Sequence, residues 1–375
     1  MTFGAPWLLA LLAAAAPARE DAKPAPVGQG PTGGSASTPT ATQVDATLEL
    51  RAREALQRGL AYLAKRQSEL RNGAFPFDDA TEHVPVPVTA LAALAYMAGG
   101  SQPDRGPHGK EVAAAIDYLC AHAELSEGSP RFGFIASDGD AISRMHGHGF
   151  ATLALSQAYS TSPKSPRGER MARVLAAAVQ RIEQTQGLEG GWYYEPVRSI
   201  QHENSVTVAV LAALRGAHNV GVKVDSATIS RAVEYVRLCQ SDDGSFRYGL
   251  GPKEPSSLAL TAASVATLNA AGRYGTPEVE RGMTHLWQGL EAAEAGAARG
   301  VRYPFYERMY VAEALWHHPD ARLYQRWMEN ELRRLLVSQA ADGSWSDREF
   351  GSCYATATNC LVLALPLGQL PYFQR

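Results

Sequence analysis

Six times along this chain a helical segment runs into a turn and an aromatic residue follows at once. The plainest copy is RAVEYVRLCQSDDGSF, Arg231 to Phe246. Its first ten residues carry Val233, Val236 and Cys239 or Gln240 at the three-to-four-residue spacing of one helix face. Asp242-Asp243-Gly244 then stops the helix, because glycine takes a positive φ at little steric cost, and Phe246 turns back onto the unit. The same order runs from Arg58 through Gln67 to Gly73-Ala74-Phe75. It recurs in Gln186 before Gly190-Gly191-Trp192 and in Gln339 before Asp342-Gly343-Ser344-Trp345. Two weaker copies lack the glutamine: Tyr118-Leu119 before Arg131-Phe132-Gly133, and Arg281-Gly282 with Leu286 before Arg302-Tyr303. The aromatics Phe75, Phe132, Trp192, Phe246, Tyr303 and Trp345 lie 57, 60, 54, 57 and 42 residues apart, which predicts a series of similar supersecondary units.

Between these turns two kinds of helix alternate. Residues 47–66, 110–123, 167–185, 226–240, 277–290 and 321–339 are amphipathic and charged, whereas 84–98, 148–159, 204–217, 256–271, 306–316 and 353–365 are small and apolar. Helices apolar all round are buried and helices with one wet face lie outside, so six outer and six inner helices are expected. An open solenoid would need polar terminal caps. The last inner segment, TATNCLVLALPL, is as apolar as the central ones, so the hairpins are expected to close into an all-α (α/α)6 toroid. Pro371-Tyr372-Phe373 is expected to complete the ring against helices near 50–100.

The order Arg or Lys, Gly or Ala, aromatic, aliphatic, Gln, then Gly-x-aromatic resembles the QW repeat of squalene and terpenoid cyclases. It is also similar to the repeat of protein prenyltransferase β-subunits. Arg58 to Phe75 and Arg231 to Phe246 fit it throughout, with Phe replacing the usual Trp, and the resemblance spans roughly residues 47–375. It implies the toroid of the terpenoid cyclases, and it is most like exported bacterial members without a recognised catalytic motif. Cyclases of that kind protonate an alkene with a D-x-D-D aspartate. Asp138-Gly139-Asp140, Asp78-Asp79 and Asp242-Asp243 do not have that spacing and read as turns. The prenyltransferase zinc site needs Asp-x-Cys and a distant His, which neither Tyr306-Glu307-Arg308-Met309 nor the stretch Arg348 to Tyr354 supplies. No metal and no cofactor are expected.

The first eighteen residues form an apolar run ending in Ala16-Pro17-Ala18, which reads as a signal peptide of an exported, periplasmic or secreted bacterial protein. Residues 19–43 are rich in Pro, Gly, Ser and Thr and read as a disordered linker, leaving 44–375 as the toroid. No later stretch is long and apolar enough to span a membrane. Net charge is −3 with the basic residues dispersed, which argues against nucleic acid and anionic lipid as partners. Cys120, Cys239, Cys353 and Cys360 are read as reduced packing residues, since Cys353 and Cys360 are too far apart along one helix to bridge.

In such a toroid the inner-helix N-termini share one rim, and here they are polar. They carry His83, His146 with His148, His202 with Glu203 and Asn204, Ser256 with Ser257, Tyr306 with Glu307, and Ser352 with Tyr354. Capping of free backbone N–H groups accounts for Asn204 and the serines. The histidines fit either helix-start hydrogen bonding or a binding rim. Three functions therefore stand open: a toroid holding an isoprenoid or lipid-like ligand, a scaffold for an envelope protein partner, or an enzyme with a non-standard site that uses Glu203 or Glu307 with His146 or His148.

Overall fold

A computed structural model describes residues 46–297 and 300–369. The signal-peptide and linker readings and Pro371-Tyr372-Phe373 lie outside the described residues. Six outer helices, α1 (Ala46–Leu70), α3 (Gly109–Ala121), α5 (Pro166–Thr185), α7 (Ser226–Leu238), α9 (Pro277–Glu294) and α11 (Ala321–Ser338), alternate with six inner ones. The inner helices are α2 (Pro85–Ala98), α4 (Arg144–Thr161), α6 (Asn204–Asn219), α8 (Leu258–Ala270), α10 (Pro304–Trp316) and α12 (Gly351–Ala364). Their starts follow local chemistry. Proline, which needs no N–H at the first helical position, opens α2, α5, α9 and α10. Ser165, Asp225, Ser257 and Asp320 accept hydrogen bonds from the first turns of α5, α7, α8 and α11. Helix α4 begins four residues ahead of the expected 148, which places His146 and His148 inside the helix.

Each inner helix packs on the next, α2 on α4, α4 on α6, α6 on α8, α8 on α10 and α10 on α12, and α12 returns to α2. That is a closed ring. Outer helices α3, α5, α7, α9 and α11 back the inner helices that precede them, while α1 packs chiefly on α12. Helix α1 thus belongs with α11 and α12. Closure is reinforced between 79–82 and 348–352: Thr81 and Glu82 N–H donate to the Arg348 and Glu349 carbonyls (3.1 and 2.8 Å), and Ser352 N–H donates to Asp79 Oδ2 (3.0 Å).

The repeat is the staple between successive outer helices. Gln186 Nε2 donates to its own turn at Gly190 O and to Thr228 O in the next outer helix (both 2.9 Å). Gln67 does the same to Gly73 and Glu111, Gln240 to Gly244 and Glu278, and Gln339 to Gly343 and Ala55, the last across the closure. An arginine of the next outer helix completes three of the four by donating to the amide oxygen: Arg231 to Gln186, Arg281 to Gln240 and Arg58 to Gln339. The turn must carry glycine. Gly343 sits at φ 92°, and a Cβ there would lie 2.5 Å from the Arg58 carbonyl oxygen. The aromatic that follows is buried and hands its backbone N–H to a threonine of the inner helix, Trp192 to Thr207, Phe246 to Thr261 and Trp345 to Thr356.

Two weak copies are corrected by this geometry. In the second repeat Gly133 is the turn glycine, so Ile135, not Phe132, occupies the aromatic position. Its N–H goes to His148 Nδ1 (3.1 Å), so a histidine stands where the other repeats use threonine. Tyr303 is no staple either: it precedes α10 and its ring meets Phe350 at 6.2 Å.

Candidate functional site

The inner-helix starts share one rim. Ala141 N–H donates to His83 O, Met145 N–H to Tyr194 O and Asn204 N–H to Tyr248 O (2.9, 2.9 and 2.7 Å), which links the approaches to α2, α4, α6 and α8. The Phe305 and Tyr354 rings, 6.2 Å apart, link α10 to α12.

Side chains that stay partly accessible among fully buried neighbours mark the inner surface of this rim. In α12, Tyr354 is the single residue that is not buried. In α4, His146 and Phe150 are half-buried, and their four-residue spacing puts them on one face with rings 6.4 Å apart. Tyr194, Tyr248, Tyr303, Phe305, Tyr306 and Phe350 are likewise half-buried. Ring contacts run from His146 to Tyr194 (6.4 Å) on one side, and from Tyr303 through Phe350 to Tyr354 (6.2 and 5.1 Å) on the other. The mouth is an aromatic wall.

Glu203, at the residue that opens α6, is the carboxyl set in this wall. Ser205 Oγ donates to its Oε1 (3.2 Å), and the nearby Tyr194 hydroxyl also favours the charged form. Burial still dominates and, with Glu254 adding like charge, pushes the carboxyl up to about 7. The Tyr194 hydroxyl is driven upward in turn by burial and by the Glu203 charge. Tyr306 also feels that charge, and its buried hydroxyl has no hydrogen-bond partner among the described residues. Burial lowers His146 to about 4, so it is neutral at pH 7, with Nδ1 on the Ser143 hydroxyl.

The structure thus gathers His146, Glu203 and Tyr306, with Glu307 buried in the first turn of α10. The other candidates face elsewhere. His148 is fully buried in the wall: besides accepting from Ile135, its ring donates from Nε2 to Ala178 O (3.4 Å) beside Phe134, and burial lowers it to about 4. Its ring and that of His146 therefore share no ligand. His202 lies over the Gly187–Gly191 turn against Tyr235, 3.3 Å from Glu189. Asn204 is buried and ties α6 to its neighbours through Arg247 O and Ser264 Oγ (both 3.1 Å). His83 is exposed and stacks on Phe77. Among the described residues no three His, Cys, Asp or Glu side chains converge as metal ligands.

The split between the two α4 histidines makes a direct prediction. His148→Ala leaves the buried Ile135 N–H unpaired and opens a cavity beside Phe134, and should cost about 2–3 kcal/mol in a urea titration. His146→Ala, on the open face, should cost under about 0.5 kcal/mol. Equal costs would show that the two rings have the same surroundings.

Tyr194, Tyr248, Tyr303, Phe305 and Phe350 are not among the rim residues that the sequence singles out, whereas Tyr354 is. Part of their signal was present: Trp192-x-Tyr194 and Phe246-x-Tyr248 place a second aromatic two residues beyond the repeat aromatic, as does Phe75-x-Phe77.

Fold and rim together define an α/α toroid with an aromatic mouth. No protein-family model matches the chain, and no curated protein matches it. Solved structures do. The apo type II terpene cyclase MstE from Scytonema is 18% identical over 86% of this chain and 99% of its own, with TM-score 0.57. A family 76 glycoside hydrolase from a bovine Bacteroides thetaiotaomicron strain is 11% identical over 84% and 77%, with TM-score 0.58. A glycosidase in complex with glucose is 14% identical over 88% and 100%, with TM-score 0.59. At such identities the likeness establishes the toroid fold and no activity.

Proposed function

We propose that the toroid binds a molecule with an apolar body and a polar head, isoprenoid or lipid-like, whose head lies at the mouth against Glu203, His146 and the tyrosines. The observation that carries this reading is the aromatic wall itself, half-buried rings from α4, α10, α12 and the approaches to α6 and α8 around the half-buried Glu203 carboxyl. Burying an alkyl or isoprenyl chain against such rings gains about 25 cal/mol per Å². The orphan Tyr306 hydroxyl gains a partner when a polar head arrives. MstE, which shares the fold, has been solved with geranylgeranyl dihydroxybenzoate as substrate. The stapled repeat supports kinship with the squalene-cyclase and prenyltransferase repeat proteins, here without the D-x-D-D acid or the zinc ligands. The apolar run ending at Ala16-Pro17-Ala18 supports export.

A second reading rests on Glu203 alone. A carboxyl that keeps its proton to about pH 7 beside Tyr194 is suited to general-acid chemistry on whatever the mouth holds. Farnesol and dodecyl maltoside, titrated while intrinsic fluorescence is followed, test the binding reading. Saturable binding that weakens about tenfold in Tyr306→Ala and Tyr354→Ala, with unchanged far-UV circular dichroism, is expected. Absence of saturable binding to either probe overturns it in favour of a scaffold, and chemical conversion of a bound probe that stops in Glu203→Gln establishes the second reading.

A further inference from the structure

On the outer surface, away from the mouth, a cleft of about 700 Å³ opens between the loop ahead of α3 and the first half of α5. Four arginines line it: Arg105 from the loop, and Arg167, Arg170 and Arg173 from α5. Two are held in place. Arg167 makes a forked pair with Asp117 of α3 (3.1 and 3.2 Å) and reaches Asp104, while Arg170 also bonds Asp117. Asp104 is fixed for that contact by a tight turn in which Gln102 and Arg105 exchange backbone hydrogen bonds (both 2.8 Å). Arg105 and Arg173 are exposed and have no ion-pair partner among the described residues.

The charge count decides what the cleft favours. Four guanidinium groups face two carboxylates, so an excess of two positive charges surrounds a space large enough for a small molecule. Ion pairing within the fold needs only Arg167 and Arg170, and leaves Arg105 and Arg173 unexplained. Pre-oriented planar guanidinium forks match the oxygens of a phosphate group, and they are strongest when several converge. The first turn of α5, a helix of 20 residues, adds the partial positive charge of its N–H groups on the same side. An extended polyanion is not favoured, because the excess is confined to one cleft of a chain with net charge −3.

We propose that this cleft is a binding site for a phosphomonoester or diphosphate group, separate from the mouth. Titration calorimetry of the full chain with sodium pyrophosphate at physiological ionic strength should show one saturable site. The double change Arg105→Ala and Arg173→Ala should weaken it at least about tenfold, while Arg105→Lys with Arg173→Lys keeps part of the affinity and both retain wild-type circular dichroism. Co-sedimentation with phosphatidylcholine vesicles, with and without phosphatidic acid, separates the sources of that group. Sedimentation that needs both phosphatidic acid and the two arginines assigns a lipid headgroup, and pyrophosphate binding without sedimentation assigns a soluble phosphate. If neither probe binds, or if binding survives the double alanine change, the proposal is overturned.

Discussion

Trp345→Ala should lower the free energy of unfolding by about 3–5 kcal/mol, the range expected when a buried tryptophan leaves a cavity. Trp345 is 3% exposed and sits where the ring closes. Its indole Nε1–H donates to Leu335 O at the end of α11 (3.1 Å), its backbone N–H donates to Thr356 of α12 (3.0 Å), and its ring lies against Gly59 of α1. Removing it loosens three helices at the junction where α1 meets α11 and α12. Trp345→Phe should cost far less, because Phe75 and Phe246 fill the same position in other repeats. Urea titration followed by circular dichroism gives both values, and hydrogen exchange should accelerate first in α1 and α12. A loss below about 0.5 kcal/mol in Trp345→Ala would show that the aromatic does not staple the closure.

Glu203→Gln should make the protein more stable above pH 7 and leave it unchanged near pH 4. The ordinary glutamate value is 4.5 and burial raises Glu203 to about 7. Between these values the folded protein keeps a proton that the unfolded chain releases, so stability falls as pH rises through that window and levels off above it. At about 1.4 kcal/mol per unit the full penalty would be about 3.5 kcal/mol, and partial contact with solvent reduces it to about 2 kcal/mol. Glutamine keeps an oxygen to accept from Ser205 but never ionises. Urea midpoints at pH 4.5 and pH 8 therefore converge and diverge respectively between the two proteins. Parallel curves across the whole range would show that Glu203 ionises as a surface carboxylate does.

The ring was legible because closure is written in composition: twelve segments alternate in polarity, and the last inner one lacks the polar face that an exposed end would need. The staple was legible too, since glutamine, glycine and aromatic recur in order. The site was less so. His146 and His148 are two residues apart, which on a helix turns their side chains by roughly 200°, so one stays half-buried beside Phe150 and Tyr194 and the other is buried against α5. Sequence spacing alone cannot say which. Glu203 and Asn204 illustrate the same difficulty at a helix start, where one residue of offset separates a half-buried carboxyl from a buried amide bonded to α8. Phe132 misled because it adjoins the second turn, whereas the positive φ of Gly133 sets the register and puts Ile135, two residues on, in the place of the repeat aromatic.

Native mass spectrometry of the protein purified without detergent from its own cells, followed by solvent extraction, tests the central claim most directly. The account predicts a bound apolar-bodied molecule at close to one per chain, diminished in Tyr306→Ala and Tyr354→Ala protein that is still folded. A chain that carries no such molecule, or one that the two tyrosine variants retain in full, would contradict it.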